Sequence, residues 1–188
     1  MAKILLIGRG PLPSANIKQL GFSQLRTLAF SQAISSAGHQ LRLVLLVPEG
    51  EPVLPETWNG TIFVAEEGPG WLEHIRSAAQ GADAIVSAGP YNPGRAAAAI
   101  ADDTPFWADI PGDPLAELAA LARATNKELS QAQIAAAHAG ASAVLSRADA
   151  ISVISEPQRF ATLGQLSLIG RTLDLSTEPT VHSLPIPA

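Results

Sequence analysis

Short apolar runs alternate with longer helical stretches along the whole chain, and this alternation constrains the fold more than any other feature. The runs are rich in leucine, isoleucine and valine and show little alternation of polar and apolar residues, which is typical of strands buried on both faces of a parallel sheet. The predicted strands are 4–7, 41–47, 61–65, 84–87, 106–110 and 151–154, with a short seventh at 181–184. We therefore expect an α/β domain with a doubly wound, mainly parallel sheet of six or seven strands and helices on both faces.

The stretches between the runs carry the end signals of helices. Several stop directly before a glycine such as Gly38, the residue that most readily takes the left-handed conformation after a helix. At the opposite end, Asn92 before Pro93 predicts an N-cap, and Ser155 to Gln158 has the spacing of a capping box. The predicted helices are 21–37, 71–80, 93–101, 114–124, 128–147 and 155–169.

Composition excludes several classes of protein. A chain of 188 residues that is 47% hydrophobic and has no cysteine can bury one sizeable core without disulfides or a structural metal. Its longest apolar runs are far shorter than the ~20 residues of a membrane-spanning helix, so no transmembrane segment is expected. The first apolar run is also too short for a secretion signal, so we expect a cytoplasmic protein.

The charge balance argues against a nucleic-acid partner. The formal net charge is −5, with 12 Lys and Arg residues scattered among 17 Asp and Glu residues. Binding of a phosphate backbone needs a cluster of basic side chains, which this pattern does not predict. We therefore expect no nucleic acid among the partners.

The familiar nucleotide and catalytic motifs are absent. The first loop, Gly8 to Pro13, begins like a dinucleotide fingerprint, but it lacks the third glycine and its two prolines remove amide donors, which argues against an NAD(P)-dependent oxidoreductase. No P-loop and no GxSxG nucleophile elbow occurs. The four histidines show no metal-binding spacing, so no metal is expected. His138 lies on an apolar helical stripe and is expected in the core or at its edge, and His39 lies at the edge of the sheet opposite to the ligand side.

Ligands of open α/β sheets bind at the carboxyl ends of the strands, and this rule selects the loops that can carry function. The candidate substrate-binding residues found in this way follow three of the strands: Tyr91 and Asn92; Asp109 and Asp113; and Ser155, Glu156 and Arg159.

Most of these candidates also have a structural interpretation. Asp113 precedes Pro114 and is either an N-cap or a group that orients or deprotonates a hydroxyl, whereas Asp109 has no evident structural role. Tyr91 either stacks on a ligand or covers a proline-stiffened turn. The segment from Ser155 to Arg159 is either an anion site at a helix amino terminus or only a cap.

Five segments in a fixed order carry a family resemblance: the glycine-rich first loop, Gly38-His39 before the second strand, and the segments 106–114, 147–156 and 166–171. This combination resembles the amino-terminal half of a group 1 (family 4) glycosyltransferase of the GT-B type. The resemblance spans nearly the whole chain, and it implies that Gly8, Arg9 and Gly10 bind substrate, as part of the glycine-rich loop that approaches the donor phosphate or the acceptor.

The resemblance implies a retaining, metal-independent transferase with two Rossmann-like domains that face each other across a cleft. The amino-terminal domain of such enzymes binds mainly the acceptor, and the carboxyl-terminal domain binds the nucleotide sugar, which is a co-substrate and not a cofactor. Residues 1–184 would form the amino-terminal domain and 185–188 would begin the interdomain linker. The expected partners are a carboxyl-terminal GT-B domain and a glycan or lipid acceptor.

The sequence departs from the family in two respects. No two of its glutamates have the Glu-x7-Glu spacing of the donor site, and the loop after the fourth strand, 87–93, lacks the histidine that many relatives carry near the reacting sugar. The catalytic base is therefore unknown, and the chain is expected to be inactive alone. The alternative is a stand-alone α/β ligand-binding or protein-interaction domain without catalysis. With only 15% charged residues, against about 25% in an average chain, part of the surface is expected to face a second domain.

Overall fold

A computed structural model describes residues 1–10, 21–48, 61–89, 91–171 and 180–185. The strands are β1 (Lys3–Arg9), β2 (Gln40–Val47), β3 (Ile62–Ala65), β4 (Ala84–Ala88), β5 (Phe106–Asp109), β6 (Ala150–Val153) and β7 (Val181–Ser183). The helices are α1 (Phe22–Ser36), α2 (Trp71–Ala79), α3 (Asn92–Ile100), α4 (Pro114–Ala124), α5 (Gln131–Arg147) and α6 (Glu156–Leu168). Each predicted strand and helix is present, and the ends differ from the prediction by at most three residues.

The strands form one parallel sheet in the order β3-β2-β1-β4-β5-β6-β7. The chain first builds the sheet outward from β1 to β3 and then returns to add β4 on the other side of β1. Loops after β1 and β4 therefore leave in opposite directions, and the gap between them is the usual ligand position in a doubly wound sheet. The predicted fold class, an α/β Rossmann-like fold, is confirmed.

The sheet is buried because helices pack on both of its faces. On one face, α2, α3 and α6 cover strand residues such as Leu5, Ile7 and Ile85, and α5 packs against α3, α4 and α6. On the other face, α1 packs on β1, β2 and β4 and covers Leu6 and Leu45. The central strands need apolar residues at successive positions for this reason, and that requirement produces the continuous apolar runs of the sequence.

The ends of the elements follow local rules, with one exception at the start of α6. Gly38, Gly81 and Gly170 have φ of 78°, 71° and 78°, as expected of glycines that end helices. The complete capping box belongs to Ser130 and Gln133 at the start of α5. In the predicted box, Ser155 caps α6, but the Gln158 side chain instead accepts from the Ile154 amide and donates to the Ile110 carbonyl oxygen.

The two histidines singled out in the sequence have different outcomes. His39 accepts a hydrogen bond from the Ala2 amide at 3.3 Å, at the amino edge of the sheet, which agrees with a structural role. The expectation that His138 lies in the core or at its edge is wrong, because this side chain is exposed on α5 and its Nδ1 lies 3.4 Å from Ser142 Oγ. The described helices include none that is long and apolar enough to cross a lipid bilayer.

Candidate functional site

The candidate site lies where the carboxyl ends of β1 and β4 meet. Gly8 brings β1 against α1, because an added Cβ there would lie only 2.3 Å from Thr27 Cγ2. Thr27 Oγ1 accepts a hydrogen bond from the Arg9 amide at 3.1 Å, and the Gly10 amide donates to the Leu46 carbonyl oxygen at 2.9 Å. These contacts fix the backbone from which the Arg9 side chain extends.

Five polar side chains assemble at this edge and form what we call the switch-point cluster: Arg9, Glu66, Tyr91, Asp113 and Glu117. Arg9 Nη2 donates to Glu66 Oε2 at 3.0 Å, and this contact joins the ends of β1 and β3. The Tyr91 hydroxyl donates to Glu117 Oε2, which joins the loop after β4 to the first turn of α4. The charges of Glu117, Asp113 and Arg9 all act on the Tyr91 hydroxyl.

Asp113 and Glu117 owe their positions to the start of α4. Asp113 is the N-cap and accepts from the Ala116 amide at 2.7 Å, so its structural interpretation is confirmed. Its second oxygen accepts from Gln165 Nε2 at 2.7 Å. Glu117 Oε1 lies against the α-carbon of Gly112, where an added Cβ would be 1.7 Å away. The Gly112-Asp113 turn thus provides the space in which the Glu117 carboxylate reaches Tyr91.

Tyr91 is held as a neutral hydrogen-bond donor. Burial raises its pKa above the ordinary value, and the hydrogen bond to Glu117 and the negative charges of Glu117 and Asp113 raise it further, while Arg9 lowers it. Because the phenol keeps its proton, it does not serve as a general base at neutral pH. The cluster can instead offer hydroxyl, carboxylate and guanidinium groups to the hydroxyls of a ligand.

The pKa of Tyr91 can be measured directly, since Tyr91 is the only tyrosine of the chain. Alkaline titration of the tyrosinate ultraviolet absorbance is expected to show a midpoint above the ordinary value of about 10. Glu117→Gln removes a negative charge beside the phenol, and it is expected to move the midpoint down. Glu73→Gln, at an exposed carboxylate of α2, is the matched control and is expected to leave the midpoint unchanged. A wild-type midpoint at the ordinary value would contradict the Tyr91–Glu117 contact.

The position of Asn92 at the start of α3 differs from the prediction that this residue is the N-cap. The N-cap of α3 is Tyr91, which makes no side-chain cap bond, and Asn92 is already the first helical residue. Its Oδ1 accepts from Arg95 Nη1 at 3.1 Å, and the same nitrogen pairs with Glu67 at 3.3 Å. The helix begins one residue early because Pro93 is equally acceptable at the second position of the helix. Beside these residues and Tyr91, a hollow of about 140 Å³ opens toward α5.

Asp109 has a structural role that the sequence did not reveal. Its side chain is completely buried and accepts two hydrogen bonds from Arg26, at 2.8 Å from Nε and 2.5 Å from Nη2. Ser152 Oγ donates to the same carboxylate at 2.6 Å and in turn accepts from Trp107 Nε1 at 3.1 Å. Substrate contact by Asp109 was a prediction, and this burial argues against it; Asp109 anchors α1 to the sheet instead.

The start of α6 carries three of the candidate residues, Ser155, Glu156 and Arg159. Among the described residues, none of the three contacts the switch-point cluster. Ser155 accepts from the Gln158 amide as the N-cap. Arg159 Nε donates to the Val181 carbonyl oxygen of β7 at 2.9 Å, and its Nη1 pairs with Glu156 at 3.3 Å. These contacts are structural, and an anion site at this helix end remains a prediction.

Glu66 and Glu117 are the members of the cluster that the sequence analysis missed. Glu66 directly follows β3, so the rule that selected the other loops would also have selected this residue. Glu117 lies in the first turn of α4 and could have been found only through its contact with Tyr91, 26 residues away. Within the described ranges, no three histidine or carboxylate side chains are grouped as a metal site.

Comparisons with known proteins establish the fold. No protein-family model matches the sequence, and no curated protein sequence matches it either. The structure is similar to a solved alpha-glucosyltransferase in complex with UDP, with a TM-score of 0.58 and 13% identity over 100% of this chain and 45% of that chain. It is also similar to an alpha-glucosyltransferase in complex with UDP and a 13-mer DNA containing an HMU base. The TM-score is 0.57 and the identity is 12%, over 100% of this chain and 43% of that chain.

A third structure, an alpha-glucosyltransferase with UDP-glucose and DNA containing an abasic site, has a TM-score of 0.55 and 14% identity over 99% of this chain and 43% of its own. The chain thus has a glycosyltransferase-like Rossmann fold and spans less than half the length of these structures.

These structures overturn the exclusion of nucleic acid that we drew from net charge. Two of the three solved structures with this fold contain DNA. The reason is that net charge averages over a whole chain, whereas phosphate contacts depend on local clusters. In addition, more than half of each of those proteins has no counterpart in this chain.

Proposed function

We propose that this chain is the acceptor-side, amino-terminal domain of a retaining glycosyltransferase of the GT-B type, similar to group 1 (family 4). The observation that supports this most is the switch-point cluster, which lies at the ligand edge of a glycosyltransferase-like fold. Such a cluster suits a neutral, hydroxyl-rich ligand, because carboxylates accept from hydroxyls and the guanidinium of Arg9 donates to them.

The second domain would bring a nucleotide sugar as co-substrate, with no resident cofactor. The Glu-x7-Glu pattern expected of a donor site does not occur in this chain, so the chain is inactive alone in this proposal. The acceptor is a glycan or a lipid. The DNA in the solved neighbours adds a hydroxylated base in DNA as a further acceptor to test.

The test is a titration of the isotope-labelled chain followed by amide chemical shifts. One arm uses neutral sugars (glucose, mannose and maltose), a second uses a DNA oligomer with an HMU base, and a third uses UDP-glucose. We expect saturable shifts in one of the acceptor arms and none of comparable affinity with UDP-glucose. Tight UDP-glucose binding would contradict the acceptor-side assignment. No chemical-shift changes in any of the three arms would favour a protein-interaction domain.

A further inference from the structure

Two adjoining cavities lie under α5, beside the turn that follows β5. The inner cavity has a volume of about 40 Å³ and lies between α5 and α6. The outer cavity, of about 200 Å³, is bordered by Leu168, which is 88% exposed, and by the exposed His138, so it opens to solvent. We call the two together the α5 groove, because they share five lining residues: Asp113, Pro114, Ala141, Leu145 and Gln165.

The lining of the α5 groove suits an uncharged, apolar occupant. No lysine or arginine is among its lining residues, and Asp113 is its one carboxylate. Both Asp113 oxygens are already engaged, one by the Ala116 amide and the other by Gln165 Nε2. A charged ligand would therefore lose its water without gaining partners. Most of the remaining lining is aliphatic, including Ile110, Leu115, Val144, Leu145, Leu168 and Ile169.

One polar group in the inner cavity lacks a partner. Thr162 lines this cavity and is only 3% exposed, and its hydroxyl makes none of the side-chain hydrogen bonds found among the described residues. The hydroxyls of Thr27 and Thr125, by contrast, donate to the carbonyl oxygens four residues earlier, at 2.9 Å and 2.8 Å. Since a buried hydroxyl is rarely left unpaired, the inner end of the groove offers one hydrogen bond to a ligand.

We propose that the α5 groove binds the hydrocarbon chain of a lipid acceptor, and that the oxygen joining this chain to its head group accepts from the Thr162 hydroxyl. The inference rests on the proposed function and narrows its acceptor from a glycan or a lipid to a lipid. Asp113 belongs both to the groove and to the switch-point cluster. The head group would thus lie at the cluster, and the chain would run outward past Leu115 to Leu168.

The first test compares maltose with hexyl and octyl maltoside, each kept below the concentration at which it forms micelles. Binding to the chain is measured by titration calorimetry. Each methylene that leaves water is expected to raise the affinity about fourfold, so octyl maltoside should bind at least about tenfold more tightly than maltose. Equal affinities for maltose and octyl maltoside would overturn the proposal.

A filled groove separates this site from unspecific contact with the alkyl chain. Ala141 lines both cavities, and Ala141→Leu is expected to lower the affinity for octyl maltoside about tenfold, to near that for maltose. Ala132→Leu makes the same change on the same helix, at an exposed residue that lines neither cavity, and is expected to bind as the wild type does. Equal binding by the two variants would place the chain elsewhere and overturn the proposal.

The role of Thr162 is tested by Thr162→Val, which keeps the shape of the side chain and removes the hydroxyl. We expect the affinity for octyl maltoside to fall about threefold to tenfold, the scale of one neutral hydrogen bond, with little change in the thermal midpoint. Thr125→Val, whose hydroxyl bonds only within its own helix, is expected to leave binding unchanged. An unchanged affinity of Thr162→Val would overturn the assigned hydrogen bond.

Titration with 1-octanol alone distinguishes failure of this inference from failure of the proposed function. If octanol binds to the wild type but not to Ala141→Leu, while neither maltose nor the maltosides shift the amides of the switch-point cluster, the chain site stands and the acceptor function fails. If maltose binds at the cluster and neither octanol nor an alkyl chain adds affinity, the acceptor function stands and the α5 groove is overturned as a lipid site.

Discussion

Asp109→Asn is expected to destabilise the protein by about 3–5 kcal/mol, because it leaves the Arg26 guanidinium buried without its counter-charge. The Arg26 side chain is only 4% exposed, and that of Asp109 is 0% exposed. A domain is stable by only about 5–15 kcal/mol, so this single change removes a large part of the total. Urea denaturation followed by tryptophan fluorescence measures the loss.

The matched control is Asp103→Asn, which makes the same chemical change at an exposed carboxylate. Its effect is expected to lie within about 0.5 kcal/mol of zero. Replacement of both partners, Arg26→Met with Asp109→Leu, is expected to recover much of the loss, since a buried pair often gives way to apolar residues of similar volume at little cost. Equal stabilities of Asp109→Asn and Asp103→Asn would show that the buried pair is not formed.

Gly8→Ala is the second change with a large expected effect. Its Cβ would lie 2.3 Å from Thr27 Cγ2 and 2.4 Å from Thr27 Oγ1, on a side chain that is itself completely buried. Threonine is branched at Cβ and cannot swing aside, so β1 and α1 must separate. We expect a loss of about 1–3 kcal/mol in the free energy of unfolding, together with weaker ligand binding because Arg9 moves with the strand.

Gly164→Ala is a matched control for which we expect the opposite change in the free energy of unfolding. It lies within α6, and an added Cβ there meets no atom within 4 Å. We expect it to stabilise the protein by about 0.5–1 kcal/mol, the usual difference between alanine and glycine inside a helix. Thr27→Ala combined with Gly8→Ala should cost less than the sum of the two single changes, as coupled sites do. Additive losses, or a harmless Gly8→Ala, would contradict the close approach.

The strands and helices could be predicted because their causes are local. The apolar run around Leu5 and the glycine at Gly38 act through residues a few positions away, and such signals are visible in the sequence. The exception is not local: Gln158 has the right spacing for a capping box, but its side chain donates to the Ile110 carbonyl oxygen, 48 residues away. Competition from a distant backbone group is invisible to spacing rules.

The candidate site was predicted only in outline, because its parts are joined by the tertiary fold. The edge rule selected Arg9, Tyr91 and Asp113, and their role in binding a ligand stays a prediction. It did not reveal that Asp109 is neutralised by Arg26, 83 residues away, or that Tyr91 meets Glu117. A carboxylate at a strand end looks the same in sequence whether it anchors a helix or faces a ligand.

The central claim is that the gap between β1 and β4 is an acceptor site, and the chemical-shift titration tests it most directly when the shifts are mapped on the structure. With a neutral sugar, the account predicts that the largest amide shifts occur at the carboxyl edge: Gly8 to Gly10, Glu66, Glu67, Tyr91, Asn92 and Gly112 to Glu117. The amino edge of the sheet, around His39 and Asp83, is expected to stay unchanged. Shifts confined to the amino edge, or at the carboxyl edge only with UDP-glucose, would contradict the account.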